Sequence, residues 1–281
     1  MFQAGLGRES LCYHPRPQDN EGQITMTRRL GLVVPYRDRK ENLDEFIPFM
    51  REFFAEPDQR DIACEILIVE QAPGLPFNRG AIKNIGYQYL APTIDYVCFH
   101  DVDLLPLAAD YHGPLMPTMV CFHGLDFTPD FVRLLFGGVV LLQNAQFEAA
   151  NGYSNAYWQW GYEDVDLRER LLRRHLKPEH REGRFRKLPH VDEGSLPGNV
   201  PTTAHLKSKQ QYLDQWFEPL GQGWRRLPNP TGLWQAEGLN ALRFEEVTPR
   251  HTLMPQQDHR PSVSRVVVAP APPDYGRGEG G

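Results

Sequence analysis

Apolar residues in the first hundred positions form short continuous runs separated by segments with helical spacing. Leu30 to Val34 is one such run, residues 64–71 form a second, and residues 96–100 form a third. Runs of this length, bounded by turn-forming residues, are typical of buried strands. Between the first two runs, apolar side chains recur at helical spacing, namely Leu43, Phe46, Ile47, Met50, Phe53 and Phe54. Residues 78–90 repeat that spacing, so the pattern predicts strand, helix, strand, helix, strand.

This order of elements is typical of an α/β fold with a largely parallel sheet. Ligands of such sheets bind at the carboxyl ends of the strands. Two polar segments follow predicted strands at this position, PYRDR at residues 35–39 and HDVD at residues 100–103. The predicted site therefore lies at this edge of the sheet.

Asp101 and Asp103 directly follow the apolar third run. Burying unpaired carboxylates is costly, whereas a bound cation would neutralise them, and hard divalent cations prefer oxygen ligands. The Asp-x-Asp segment is consistent with a metal that is shared between the protein and a diphosphate. A solvated turn, or an aspartate that caps the next element, would explain the same three letters.

A second informative region extends from residue 136 to residue 174. Two glycines precede an apolar strand, Val139 to Leu142, and an aromatic-rich stretch follows at 153–162. Glu163, Asp164 and Asp166 then open a predicted helix. Acidic residues in a first turn interact favourably with the helix dipole, but three acids beside so many aromatic side chains exceed what capping needs. We therefore interpret this region as a second part of the site.

The two ends of the chain are unlike its centre. Residues 1–27 are polar and lack a periodic apolar pattern, so we predict a disordered segment. Residues 28–254 carry the predicted folded domain. The stretch 255–281 is rich in proline and glycine and is predicted to be a flexible tail.

Charge and hydropathy limit the classes of partner. The net charge of −6 gives no support to nucleic acid or an anionic membrane as a partner. No apolar run approaches the roughly 20 residues of a membrane span, and the N-terminus lacks the apolar core of a signal peptide. We expect no transmembrane segment and a cytoplasmic location.

Several motifs in a fixed order resemble the β-1,4-galactosyltransferase family. They are VPYRDRKENL, QAPGLPFNRGAIKNIGY, CFHDVDLLP, LFGGVVLL, QFEAANGYSNAYWQWGYEDVD, GRFRKLPH and AHLKSK…GLNAL, and they span about residues 30–245. The resemblance implies a GT-A glycosyltransferase fold with a Rossmann-like nucleotide-binding sheet. It also implies a metal-dependent, inverting transfer of a hexose from a UDP-sugar to a glycan or glycoside acceptor. Without a membrane anchor, the chain looks most like a soluble bacterial-type member.

The resemblance implies roles for individual residues. The residues that match the nucleotide-sugar site are Pro35, Arg37, Arg39, Phe77, Arg79, Asp101, Gly138 and Trp160. Glu163 and Asp164 match the acidic pair of the acceptor site, with Asp164 as the catalytic base. Asp103 matches a ligand of the Mn²⁺ cofactor, and His190 matches its ligating histidine. A further family ligand falls on Lys187 or Leu188 here, so Asp192 is the candidate substitute.

The donor sugar is left open by one position. The resemblance places Leu135 beside the C2 substituent of the donor, where galactose-transferring relatives usually carry tyrosine. A leucine there leaves room for an N-acetyl group, so the candidate donors are UDP-galactose and UDP-N-acetylgalactosamine. If Leu135 is only a core residue, it carries no information about the donor.

Two other functions agree with the same motifs. A non-catalytic UDP-sugar or glycan-binding module would keep the fold and lose activity, and the missing extra metal ligand favours it. A nucleotide-sugar hydrolase would use water as the acceptor, which the paired tryptophans and the acidic motif disfavour. Release of UDP with and without sugar acceptors discriminates between these readings.

Overall fold

The strand and helix alternation predicted from the sequence is present in the structure, a computed structural model that describes residues 28–123, 136–159, 161–189, 195–196, 200–221, 223–228 and 233–272. The strands are β1 (Arg28–Tyr36), β2 (Ile62–Gln71), β3 (Tyr96–His100), β4 (Leu104–Ala109), β5 (Thr118–His123), β6 (Val139–Gln143), β7 (Glu179–Lys187), β8 (Ser195–Leu196), β9 (Val200–Pro201), β10 (Phe217–Leu220), β11 (Gly223–Arg226), β12 (Phe244–Met254) and β13 (Ser262–Pro270). The α-helices are α1 (Lys40–Ala55), α2 (Arg79–Leu90), α3 (Asn144–Ala149), α4 (Glu163–Arg173), α5 (Thr203–Trp216) and α6 (Leu233–Ala236).

Nine of these described strands form one mixed sheet. Their order is β12-β13-β2-β1-β3-β6-β5-β7-β4. The central strands β13, β2, β1 and β3 run parallel to one another, and β6 joins β3 in the antiparallel direction. The carboxyl ends of β1 and β3 therefore meet at one edge, as the sequence predicted.

Both faces of the central sheet are buried, because side chains along a strand point alternately to opposite faces. Leu32 and Val34 of β1 pack on one side, in the apolar cluster that contains Phe46 of α1. Val33 packs on the other side, with Ile82 of α2 and Leu167 of α4. Helices on both faces of a largely parallel centre explain why these strands read as continuous apolar runs. The predicted α/β class is confirmed.

The predicted boundary at residue 254 needs correction. Residues 262–270, assigned from the sequence to a flexible tail, form β13, which pairs in parallel with β2. Val263, Val266 and Val268 are fully buried. The prolines and glycines around this segment led to the prediction of a flexible tail. The segment itself is rich in β-branched residues, and their burial in the sheet outweighs the local composition. The predicted disordered segment 1–27 and the last residues, 273–281, lie outside the described residues.

Within the described residues, no helix combines the length and the apolar character that a membrane crossing requires.

Candidate functional site

A cleft of about 390 Å³ opens at the edge of the sheet where β1 and β3 end. Its lining comes from three successive connections of the fold. The residues are Pro35, Arg37, Arg39, Phe77, Arg79, Asp101 and Val102. Six of these seven were assigned from the sequence to the nucleotide-sugar site, and the structure brings all six to one cleft.

The loop after β1 presents two arginines to the cleft. Asp38, between them, adopts the left-handed region with φ of 53°, which aspartate tolerates better than most residues. The Arg37 guanidinium lies 5.0 Å from the centre of the Phe77 ring and donates a 2.8 Å hydrogen bond to the Leu75 carbonyl oxygen. The planar fork of arginine suits phosphate oxygens, so this loop is chemically suited to an anionic ligand.

Helix α2 begins at the same cleft. Asn78 caps it, since its side chain accepts a 2.9 Å hydrogen bond from the backbone N–H of Ala81. Arg79 is the first residue of the helix and lies beside Asp101, Glu163, Asp164 and Asp103. Burial lowers the pKa of the Arg79 guanidinium, but the four carboxylates outweigh it and the net direction is upward. Arg79 is therefore charged under all conditions of interest.

The two aspartates after β3 are held by the backbone around them. The N–H of Asp101 donates a 2.9 Å hydrogen bond to the carbonyl oxygen of Gly138, a residue with φ of 77° that glycine adopts without strain. Beneath them, the buried His100 ring contacts the Asp101 carbonyl at 2.9 Å and the Tyr111 hydroxyl at 2.7 Å. Burial lowers the pKa of His100 to about 4, so this ring is a neutral support.

Asp101 and Asp103 lie in a cationic environment. Burial raises the pKa of the Asp101 carboxyl, whereas the charged side chains of Arg79, Lys83 and Arg39 lower it, and the net direction is downward. The Asp103 side chain is 7% exposed, and its Oδ2 lies 3.9 Å from a terminal nitrogen of Arg39. Asp103 is thus a nearly buried carboxylate at the edge of the cleft.

A divalent cation fits the Asp103 position by its donor chemistry, because carboxylate oxygens suit Mn²⁺ as they suit Mg²⁺ and Ca²⁺. The segment that leads to His190 is fixed at the same place, since the N–H of Leu188 donates a 2.7 Å hydrogen bond to the Asp103 carbonyl oxygen. His190 and Asp192, the other predicted ligands, lie outside the described residues. Among the residues that are described, no group of three or more His, Cys, Asp or Glu side chains forms a metal site.

The acidic pair predicted for the acceptor site opens α4 and faces α2. Tyr162, with φ of 72°, turns the chain into the helix. A terminal nitrogen of Arg79 lies 3.3 Å from Glu163 Oε1, and Lys83 Nζ lies 2.8 Å from Asp164 Oδ1. The two cations are four residues apart, so they share one face of α2, and each binds one member of the acidic pair.

Asp164 carries the chemistry of a proton acceptor. Burial raises the pKa of its carboxyl to about 6, with Glu163 and Asp101 adding to the rise and Lys83 and Arg79 opposing it. A general base works best with a pKa close to the working pH. Asp164 is therefore tuned for the role that the sequence assigned to it, and that role stays a prediction.

Sequence reasoning missed two features of this site. The first is Lys83, whose side chain is only 2% exposed. A lysine among the buried positions of α2 was the feature of the sequence that could have identified it as part of the site. A Cβ at Gly137 would lie 2.2 Å from Asp164 Oδ2, so any other residue at this position would have to displace the carboxylate. Lys83 and Gly137 are both far from Asp164 in the sequence, so the sequence alone did not predict either contact.

A second cleft, of about 840 Å³, shares Arg37 and Phe77 with the first. Its other lining residues are Pro76, Gln159, Thr202, Thr203 and Ala204. The start of α5 thus lies across from the loop before α2, and the two clefts adjoin. Trp160 and Leu135, assigned from the sequence to the donor site, lie outside the described residues.

Two family models match separate parts of the chain. The N-terminal region of glycosyl transferase group 7 matches residues 14–112. The N-terminal domain of galactosyltransferase matches residues 128–193. Together they include both halves of the site, the arginine loop with the Asp-x-Asp segment and the acidic start of α4.

The chain is similar to β-1,4-galactosyltransferase 7 of Drosophila melanogaster, with 34% identity over 164 residues, or 56% of this chain and 48% of the relative. It is also similar to the human protein of the same name, with 36% identity over 149 residues. This aligned segment makes up 51% of this chain and 43% of the human protein. The chain thus spans about half the length of the curated relatives it matches.

A crystal structure of a variant of the Drosophila enzyme, in complex with manganese, UDP-Gal and xylobiose, has the same fold. The TM-score is 0.65 at 22% sequence identity, over 88% of this chain and 96% of that one. The likeness shows the GT-A fold that the sequence predicted.

Proposed function

Since the chain belongs to the β-1,4-galactosyltransferase family, we propose that it transfers galactose from UDP-galactose to a hydroxyl of a sugar acceptor, with inversion at the anomeric carbon. One observation carries the proposal. A cationic cleft, an Asp-x-Asp segment and a buried acidic pair with a tuned carboxylate meet at one edge of the sheet.

Arg37, Arg39 and Arg79 would bind the diphosphate of the donor, because three cations line a cleft of suitable polarity. Phe77 would contact the uracil ring, with Arg37 stacked on its other side. Asp101 would bind the ribose or the transferred sugar. These assignments explain why the cleft carries both cations and a carboxylate.

Manganese would be held by Asp103, together with the predicted ligands His190 and Asp192. When bound, such a metal stabilises the negative charge that develops on the leaving diphosphate. Asp103 is the only one of the three among the described residues. Its carboxylate is almost completely buried beside Arg39, and a bound cation would neutralise its negative charge, which supports its role as a metal ligand.

Asp164 would act as the general base. The acceptor hydroxyl gives its proton to the carboxylate as its oxygen forms a bond to the anomeric carbon of the donor. The bond from that carbon to the diphosphate oxygen breaks, and UDP leaves with the electron pair. A single displacement of this kind inverts the anomeric centre and needs no second carboxylate as nucleophile.

The decisive experiment measures manganese-dependent transfer from UDP-galactose and UDP-N-acetylgalactosamine to a panel of acceptors. β-Xylosides come first in the panel, because the similar Drosophila structure holds xylobiose. Galactosylated product is expected. Release of UDP without any acceptor would favour the hydrolase, and tight UDP binding without turnover would favour the non-catalytic module.

Asp103→Ala should abolish the manganese dependence of UDP binding, measured by calorimetry, while the fold remains. Asp110→Ala is the matched control. Asp110 follows β4 and pairs with His112 and Arg181 away from the cleft, so its loss should leave manganese binding unchanged. An unaltered manganese affinity in Asp103→Ala would contradict the metal assignment.

The second candidate donor depends on Leu135. If this residue lies beside the C2 substituent, Leu135→Tyr should favour UDP-galactose over UDP-N-acetylgalactosamine. The ratio of kcat/KM for UDP-galactose to kcat/KM for UDP-N-acetylgalactosamine should rise by roughly 10- to 200-fold, the range for steric discrimination of one small group. An unchanged ratio would remove the reason to consider N-acetylgalactosamine.

A further inference from the structure

A buried lysine lies beside the proposed base. The Lys83 side chain is 2% exposed, its ammonium donates a 2.8 Å hydrogen bond to Asp164 Oδ1, and it lies 4.5 Å from the centre of the Tyr153 ring. Burial of an ammonium group is costly unless a partner compensates for it. The arginines already supply the cations that a diphosphate needs, so Lys83 calls for a separate explanation.

Lys83 is the only cation bonded to Asp164 within the part of the chain that the structure describes. Arg79, the other cation nearby, pairs with Glu163. The groups that face the Asp164 carboxyl are Lys83 and Arg79 from α2, Glu163 from α4, Asp101 after β3 and the Tyr153 hydroxyl. Two of these are carboxylates, which disfavour a third negative charge on Asp164. The bonded ammonium of Lys83 is the group that most directly favours this negative charge.

The two oxygens of Asp164 have different surroundings. Oδ1 is engaged by Lys83. Oδ2 packs over Gly137, where a Cβ would lie 2.2 Å away, and accepts no hydrogen bond from the described residues. One oxygen is therefore fixed in place, and the other is left to take a proton.

We propose that Lys83 is a positioning residue for the reaction, whose ammonium keeps Asp164 ionised and orients its carboxylate so that Oδ2 receives the proton of the acceptor hydroxyl. This inference rests on the proposed function of Asp164 as the base. The proton moves from the acceptor oxygen to Oδ2 as the glycosidic bond forms and UDP departs. Lys83 takes no part in forming or breaking these bonds.

Lys83→Met removes the charge and keeps the length of the side chain. Asp164 then retains the burial and the neighbouring carboxylates that raise its pKa, and loses its bonded cation. An opposite charge at this distance is worth about 1–3 pKa units. If the pKa rises by two units, kcat/KM falls by about 10-fold at pH 7 and recovers almost fully by pH 9. A loss of packing alone would lower kcat/KM equally at every pH.

The experiment has two readouts. Carbon-13 NMR of the aspartate carboxyls, in magnesium-containing buffer and with Asp164→Asn to assign the signal, gives the pKa of Asp164 without any turnover. The pH profile of kcat/KM with manganese gives its kinetic effect. Both are measured for the wild type, Lys83→Met and Lys83→Arg. Ile82→Val is the matched truncation, because Ile82 is a buried apolar residue of the same helix and does not bond to the Asp164 carboxyl.

The expected result is a rise in the NMR pKa and a matching shift of the acidic limb in Lys83→Met. Lys83→Arg should return both toward the wild type, and Ile82→Val should move neither. An unchanged NMR pKa in Lys83→Met, or activity lost equally at all pH values, would overturn the proposal. If the wild type transfers no sugar but the NMR pKa still rises, the proposed function fails while the coupling of Lys83 to Asp164 stands.

Discussion

Two aspartates on the first turn of α4 have opposite surroundings, although only one residue separates them. Asp166 is fully buried and is bonded by Arg170, Tyr157, Gln215 and Trp216. The Asp164 side chain is 15% exposed and accepts one hydrogen bond, from Lys83. A buried carboxylate with hydrogen bonds to both of its oxygens is a structural element, whereas one with an unengaged oxygen is available for chemistry.

The partners of the two carboxylates explain the difference. Arg170 also binds Glu237, which in turn accepts a 3.0 Å hydrogen bond from Ser154. This network joins α4 to α5 through Trp216 and to the chain after α6. The Asp164 side of the helix meets α2 and the cleft instead. One helix thus anchors itself in the interior with Asp166 and presents Asp164 to the site.

The largest expected effect comes from Asp164→Asn. The amide keeps the shape of the carboxylate but cannot accept the proton, so kcat should fall by roughly 10²- to 10⁴-fold, the range for loss of a general base. UDP binding, measured by calorimetry, should change little. If turnover stays near that of the wild type, the base lies elsewhere, with Glu163 as the next candidate.

The same substitution at the neighbouring position should act on the fold. Asp166→Asn breaks a buried pair with Arg170 and should lower the free energy of unfolding by about 3–5 kcal/mol, measured by urea denaturation. Glu218→Gln, which breaks an exposed pair with Arg225, is the control and should leave it almost unchanged. If Asp166→Asn kept full stability, the contrast between the two aspartates would fail.

A smaller effect is expected at Gly137. Gly137→Ala places a methyl group against Asp164 Oδ2 and Cγ, so the carboxylate must move, and a displacement of this size can cost about 10²-fold in kcat. Gly223→Ala on β11 is the matched control, because its nearest contact would be an ordinary 3.8 Å. Full activity in Gly137→Ala would show that the position of the carboxylate is not critical.

The smallest effect is the pH dependence of the wild type. Asp164 must be deprotonated to act, and its pKa is raised to about 6. We therefore expect kcat/KM to fall as pH decreases through 6, by about tenfold for each further pH unit. A limb near pH 4, typical of an exposed aspartate, would indicate that the carboxylate is less buried during turnover.

Much of the site could be predicted from the sequence because its residues follow predicted strands. Arg37, Arg39, Asp101 and Asp103 lie just after apolar runs, and parallel strands bring such positions to one edge. Glu163 and Asp164 were identified from a motif at a helix start. The role of Asp164 was separated from that of Asp166 by the resemblance to a family, since the local sequence gives both the same acidic, first-turn character.

The sequence by itself determined the order of the elements, the edge at which the ligand site forms and the residue types available there, since periodicity and turn residues act locally. Only the tertiary structure decided which partners those residues have. Lys83 and Asp164 are 81 positions apart, β13 joins the sheet beside β2 despite its proline-rich surroundings, and Gly137 lies under the proposed base. Such contacts arise from the packing of whole elements, and burial by that packing sets the charge, the pKa and the orientation of each side chain.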